Sequence, residues 1–227
     1  MGDRLLSDDE IAKMRQPLWE QAKDAIDAGH GERAKELVDG AVAQWSSLKD
    51  YSINWIASLL TFVAEELGEE AVERALRKTG EEFVRPRRAS ATPWGSLPAA
   101  QRAKVIARSM VANMGEVEVT EDDEKIVLAF RCGSGGALIE EGRYDGPAAY
   151  ATLRQRAGRT FSRDALPVYC AHCSVNNEMQ PIEWGDVPTS VEFPPERPGE
   201  RCVHHVHKDT AALPAAVFHR LGMRPPA

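Results

Sequence analysis

The spacing of apolar residues changes along this chain, and that change constrains the fold more than any other feature. Over residues 7–83 apolar side chains such as Leu37 and Ala41 recur every three or four residues, which is typical of amphipathic helices. Residues 116–120 and 126–131 instead form two short strand-like runs around an acidic turn. The sequence therefore predicts an α+β fold in which a helical bundle precedes a small, mainly antiparallel sheet.

Gly, Pro and polar residues interrupt the apolar pattern and divide the chain into three regions. Residues 1–83 are predicted to form a helical bundle region, 84–98 a linker rich in Pro and Arg, and 99–227 an α+β metal-binding domain. The expected helices span 7–28, 31–50, 52–67, 69–83, 99–114, 147–156 and 213–221. The third of these is apolar nearly all round, so we expect it to be buried in the bundle or to pair across a homodimer.

Composition limits the classes of partner. The formal charge is -7, from 28 basic and 35 acidic residues, which argues against nucleic acid and anionic membranes. The first residues lack a secretory signal, and no segment has the length of apolar sequence that a membrane span requires. We therefore expect a cytoplasmic protein whose partner is a small molecule.

All four cysteines lie between positions 132 and 202. Thiols stay reduced in the cytosol, so such a cluster indicates metal binding or catalysis rather than disulfides. Cys170 and Cys173 form a CxxC motif with His172 between them, which matches half of a tetrahedral zinc site. A redox pair is less favoured, because it typically opens a helix in a βαβ unit. An iron–sulfur cluster is the other alternative, although its usual compact spacing is missing.

A second motif is the glycine-rich loop that follows Cys132, with Gly133, Ser134, Gly135 and Gly136. Its backbone amides suit an anionic substrate group, and the loop is the predicted substrate-binding element. A tight turn beside a buried thiol explains the same residues equally well.

A third motif contains Cys202, His204, His205 and His207. Period-two alternation in a strand places Cys202 and His204 on one face, and the other two histidines on the opposite face. Together the motifs predict zinc bound by Cys170, Cys173 and Cys202, with His172 or His204 as a fourth ligand or a catalytic group. Cys132 is either another ligand, which would close the site, or a reactive thiolate above the loop.

The order of these motifs resembles the L-2-amino-thiazoline-4-carboxylic acid hydrolase-like family and the related 4-vinyl-reductase-like small-molecule-binding domains. The resemblance covers residues 97–208 and depends on Cys132, the Cys170 to Cys173 motif, and Gly199 with Cys202. It implies either hydrolysis or lysis of a C–N or C–S bond in a small molecule, or ligand sensing without catalysis. A zinc-dependent enzyme is thus one hypothesis, and a zinc-stapled binding protein is the other.

Overall fold

A computed structural model describes residues 5–225 and confirms the α+β fold. Residues 1–4, which belong to the segment used to predict the absence of a secretory signal, lie outside the described residues, as do residues 226–227 at the end of the predicted third region. The chain divides into two compact units between Ser52 and Ile53, whereas the sequence places the boundary at 84–98. No helix in residues 5–225 is long and apolar enough to cross a membrane.

The first unit contains helices α1 (Asp8–Arg15) and α2 (Leu18–Asp27) and the beginning of α3 (Gly31–Leu67). The predicted single helix over 7–28 is wrong, because Pro17 lacks an N–H donor and disfavours a helical Gln16. At the start of α1 the Ser7 hydroxyl accepts a hydrogen bond from the Glu10 backbone N–H in a capping box.

Helix α3 is one continuous element, so the predicted separate helices over 31–50 and 52–67 are wrong. The Ser52 hydroxyl donates to the Leu48 carbonyl at 2.8 Å and thus bonds within the helix instead of ending it. In the second unit α3 buries Ile53, Ala57 and Leu60 but exposes Trp55, Leu59 and Phe62 by 58%, 52% and 59%. This part of α3 is therefore amphipathic rather than buried all round, and the homodimer stays a prediction.

The second unit holds the remaining helices and all the strands. Its helices are α4 (Glu69–Thr79), α5 (Arg85–Ala89), α6 (Ala99–Ala112), α7 (Gly135–Glu140), α8 (Gln180–Glu183) and α9 (Ala215–His219), with π-helical turns at Gly80–Val84 and Cys173–Met179. Residues 84–98, the predicted linker, contain α5 and a 3-10 turn whose Trp94 and Gly95 backbone N–H groups donate to Asp186. Residues 147–156 do not form the predicted helix.

Four antiparallel strands form the main sheet in the order β1-β2-β6-β5, with β1 (Glu116–Glu121), β2 (Lys125–Arg131), β5 (Val191–Phe193) and β6 (Cys202–His207). A separate pair joins β3 (Thr152–Leu153) to β4 (Leu166–Pro167). The β1–β2 pair confirms the predicted hairpin. Phe130 of β2 lies opposite Cys202, and Glu192 of β5 lies opposite His204. This register brings the end of β2, the start of β6 and β5 to one region of the sheet.

Two clusters fix the position of the sheet within the second unit. Ala103 and Ile106 of α6 pack on Ile126, Leu128 and Val206, which belong to the buried face of the sheet. A larger cluster joins α4 to the π-helical turn Cys173–Met179 through Val72, Leu76, Val175 and Met179. Because both clusters are apolar and buried, they fix the positions of the sheet and of the CxxC motif within the second unit.

Candidate functional site

Four separate elements bring the cysteines together. Cys132 directly follows β2, Cys202 begins β6, Cys170 ends a 3-10 turn, and Cys173 begins the adjacent π-helical turn. All four line a single cavity of about 220 Å³, together with His172 and His204. The predicted metal-binding and catalytic residues therefore lie around one space.

Close contacts pair each histidine with a thiol. The His172 Nε2 atom lies 3.5 Å from the Cys173 Sγ atom, and the His204 Nε2 atom lies 3.5 Å from the Cys202 Sγ atom. All four thiols are free. As these side chains stand, no group of three or more His, Cys, Asp or Glu residues within 5–225 has the arrangement of a metal site.

Hydrogen bonds fix the orientation of both imidazole rings. The Nδ1 atom of His172 lies 2.6 Å from the Tyr169 carbonyl oxygen, and the Nδ1 atom of His204 lies 2.8 Å from the Ser190 hydroxyl. Each ring therefore directs its Nε2 atom toward the thiols. Holding one ring nitrogen in this way is how proteins commonly prepare the other nitrogen to bind a metal.

Burial makes charged thiolates costly in this cavity. Desolvation raises the pKa of Cys170, Cys173 and Cys202, and the neighbouring thiols and Glu192 raise it further. Burial also lowers the pKa of His204. Without an added cation, burial therefore favours the neutral forms of these three thiols and of the His204 imidazole. A bound cation would favour the thiolate forms, as metal ions do at cysteine ligands.

The glycine-rich loop allows a close approach of chain segments. A Cβ atom on Gly135 would lie 3.0 Å from the Cys170 Sγ atom, and one on Gly136 would lie 2.8 Å from the Cys132 Cβ atom. Ser134, Gly135 and Gly136 line the cavity, but Gly133 does not and packs against the Asn113 carbonyl instead. The loop's role in substrate binding stays a prediction, and its observed role is to make room around the thiols.

Strand β6 confirms the predicted alternation of its side chains. Cys202 and His204 are buried, whereas His205 and His207 are half-buried on the opposite face. That face borders a small, separate cavity with Arg102 and Leu213. Of the three histidines in the motif, only His204 lines the cavity with the cysteines.

Glu192 is a site residue that sequence reasoning missed. Its side chain is 1% exposed and lines the cavity. The carboxylate accepts hydrogen bonds from the Ser190 hydroxyl at 3.2 Å and the Asn177 amide at 3.3 Å. A lone Glu between Val191 and Phe193 looks like a solvent-facing strand position, so the only signal was an acidic residue within an apolar run.

A second buried carboxylate lies close to Glu192 and has its own partner. The Glu178 carboxylate binds Arg220 and accepts a hydrogen bond from the Glu192 backbone N–H at 2.6 Å. Burial raises the pKa of Glu178 to about 8, and Arg220 opposes that rise. Glu178, Glu183 and Asp186 follow the CxxC motif in sequence, yet none of them lines the cavity.

Comparison of the chain with family models, curated proteins and solved structures finds no match.

Proposed function

We propose that this chain is a zinc-dependent enzyme that acts on a small molecule, with zinc bound by Cys170, Cys173 and Cys202. The observation that supports it is that all four cysteines line one cavity together with two histidines, His172 and His204, whose Nε2 atoms point toward the thiols. Cysteine sulfur and histidine nitrogen are the donors that zinc prefers in proteins.

The chemistry of the donors fits zinc, although the side chains do not converge on a metal position as they stand. Binding would require the buried thiols to lose protons, which couples metal affinity to pH. The CxxC spacing and the buried Cys202 supply three sulfur donors, and His172 or His204 supplies the fourth donor or a catalytic group. When bound, zinc would polarise the substrate or lower the pKa of a bound water.

Cys132 and His204 are the groups of this chain that we assign to chemistry. Cys132 is half-buried in the cavity, and its Sγ atom lies 3.2 Å from the Ser134 hydroxyl, with which it can share a proton. His204 is held by Ser190 and can take up or release a proton at its Nε2 atom. The reaction that we propose, cleavage of a C–N or C–S bond by hydrolysis or lysis, is the one that the family resemblance implies.

One observation favours the second candidate function, a binding or sensor protein that zinc staples together. Cys170 and Cys202 are each only 4% exposed, and sites closed by four cysteines are usually structural. An iron–sulfur cluster bound by the same four thiols is the remaining cofactor proposal. It would give the purified protein a visible absorption spectrum, which zinc would not.

The test is elemental analysis of the purified protein combined with thermal unfolding of Cys132→Ser. The enzyme proposal expects about one zinc per chain in both proteins, an unchanged melting temperature, and loss of turnover with a panel of small heterocycles. Loss of zinc and of folding in Cys132→Ser would support the stapled binding protein instead. Absence of any metal, with thiols that oxidise in pairs, would overturn both.

A further inference from the structure

A larger pocket adjoins the thiol cavity in the second unit. It has a volume of about 480 Å³, which is in the range of small-molecule sites. The two spaces share five lining residues: Ser109, Met110, Asn177, Glu192 and His204. A ligand in this pocket would therefore have its inner end beside the cysteines.

The walls of the pocket are mainly apolar. Val105, Ile106 and Met110 of α6 form one side, with Val84 and Trp94 among the other lining residues. The Trp94 indole is fixed, because its Nε1–H donates to the Thr189 carbonyl at 2.9 Å. This wall suits the apolar body of a ligand, since burying its surface is favourable and needs no hydrogen-bond partner.

The inner end of the pocket carries a buried carboxyl group that has no Lys or Arg partner among the described residues. Glu192 is 1% exposed, and the groups that hydrogen-bond to its carboxylate are a neutral hydroxyl and a neutral amide. Within residues 5–225 no Lys or Arg lies within ion-pair distance of that carboxylate. The closest basic side chain recorded is the His204 imidazole, whose Nδ1 atom lies 3.7 Å from the carboxylate. A buried carboxylate that lacks a Lys or Arg partner is costly when it is ionised, so a cation that reaches it would be strongly favoured.

The exposed part of the pocket lining carries positive charge. Arg87 and Arg88 both line it. Arg88 is already paired with Asp186, whereas the exposed Arg87 guanidinium has no hydrogen-bond or ion-pair partner in the described part of the chain. This positive charge and the carboxyl group at the inner end would orient a ligand that carries charge.

We infer that this pocket binds a small molecule with an apolar body whose cationic nitrogen, an amine or amidine, lies at Glu192, and whose outer end takes an anionic group at Arg87. The assignment names the substrate class of the proposed enzyme and rests on that proposal. It places the nitrogen-bearing end of the substrate beside Cys132 and His204, where a C–N bond would be cleaved.

The test is isothermal titration calorimetry of the purified full chain with four probes that share a six-carbon chain: hexylamine, 6-aminohexanoate, hexanoate and hexanamide. We expect both amines to bind at least about 30-fold more tightly than hexanamide, as is typical of a buried charge pair. 6-Aminohexanoate should exceed hexylamine by about 2- to 5-fold, because Arg87 is exposed. Equal affinities across the series, or a preference for hexanoate, would overturn the assignment without any variant.

Variants then locate the charges. Glu192→Gln should abolish the preference for amines, and Arg87→Gln should remove only the gain from the carboxylate of 6-aminohexanoate. Glu118→Gln, at an exposed carboxylate on β1, is the matched control and should change neither. Val105→Trp, at a half-exposed wall position, should block all four probes and covers the case in which Glu192→Gln does not fold. Unchanged binding in Val105→Trp would place the probes elsewhere and refute the assignment.

Zinc content measured on the same samples separates this inference from the proposed function. Glu192-dependent amine binding in a protein without zinc would leave the pocket assignment standing and refute the zinc enzyme. Bound zinc in a protein that shows no preference for amines would leave the zinc enzyme standing and refute the pocket assignment.

Discussion

Two neighbouring regions of the second unit bury ionisable groups and treat them differently. In the first region, next to the backbone of β5, the Glu178 carboxylate binds Arg220, whose guanidinium also stacks on Phe161 and Phe193. In the second region, four cysteines and Glu192 line the thiol cavity. Among the residues described, no Lys or Arg lies within ion-pair distance of the Glu192 carboxylate. Where the chain supplies its own counter-charge, the buried charge serves the fold. Where it supplies none, we infer that a ligand or metal completes the balance.

Removing the counter-charge of the first region should have the largest effect on stability. At pH 9, where Glu178 is ionised, we expect Arg220→Met to lower the free energy of unfolding by about 3–5 kcal/mol, because it leaves this carboxylate buried without a cation. Arg77→Met is the matched control. It breaks the ion pairs of Arg77 with Glu183 and Glu73, whose side chains are 38% and 21% exposed, and should cost about 1 kcal/mol or less for each pair. Urea denaturation measures both.

The pH dependence of Arg220→Met gives a second check on the same pair. Burial raises the pKa of Glu178 to about 8 in the folded chain, so the folded state retains this proton to higher pH than the unfolded state. Stability from the group is then present at low pH and lost as pH rises through about 8. The variant, which lacks the opposing cation, should be relatively more stable at pH 6 than at pH 9. A deficit that is independent of pH would contradict the role given to Arg220.

Removing the metal from the thiol cavity should lower the stability of the protein slightly less than Arg220→Met does. If zinc is present at about 100 times its dissociation constant, its removal costs about 2.7 kcal/mol of stability. We therefore expect a chelator to lower the melting temperature of the wild-type chain. The same treatment of Cys170→Ser/Cys173→Ser should have no effect, because that protein has already lost its metal. An equal chelator effect on both proteins would place the metal elsewhere.

The close packing around the thiols predicts a smaller effect for a single added methyl group. Gly136→Ala places a Cβ atom 2.8 Å from the Cys132 Cβ atom, so we expect a loss of about 1–3 kcal/mol. Gly31→Ala adds the same group where no atom lies within 4 Å, and should be neutral or slightly stabilising. Thermal unfolding of both variants measures the difference. A tolerated Gly136→Ala would show that the loop moves freely away from Cys132.

The smallest expected effect distinguishes the two faces of β6 by their influence on zinc affinity. His204→Asn should lower zinc affinity by about 10- to 100-fold, the effect typical of a metal-supporting histidine. His205→Asn alters the opposite face of the strand and should leave zinc affinity unchanged. Competition with a zinc-binding dye measures both affinities. Equal losses in the two variants would indicate a general effect on the strand rather than a site.

Local patterns predicted much of this arrangement. The alternation in β6 correctly placed Cys202 and His204 on one face, which the structure shows to be buried, and the acidic turn correctly marked the β1–β2 hairpin. Both are set by nearest neighbours along the chain, because the side chains of a strand alternate between its faces. The two cysteines of the CxxC motif line the same cavity, and their role as zinc ligands stays a prediction.

What the sequence did not reveal depends on distant contacts. Glu192 joins the site because β5 pairs with β6, which places it opposite His204, and no local pattern specifies that pairing. The continuity of α3 was missed because polar residues such as Ser52 tend to end helices, yet Ser52 here bonds to the preceding turn. The pocket behind Trp94 likewise depends on contacts between α6 and residues far along the chain.

X-ray absorption at the zinc edge of the purified full chain tests the central claim most directly. The account predicts zinc with a sulfur shell at about 2.3 Å and a nitrogen shell at about 2.0–2.1 Å, and loss of this signal in Cys170→Ser/Cys173→Ser. A protein without metal would contradict the account. So would zinc surrounded only by oxygen and nitrogen that persists in the double variant.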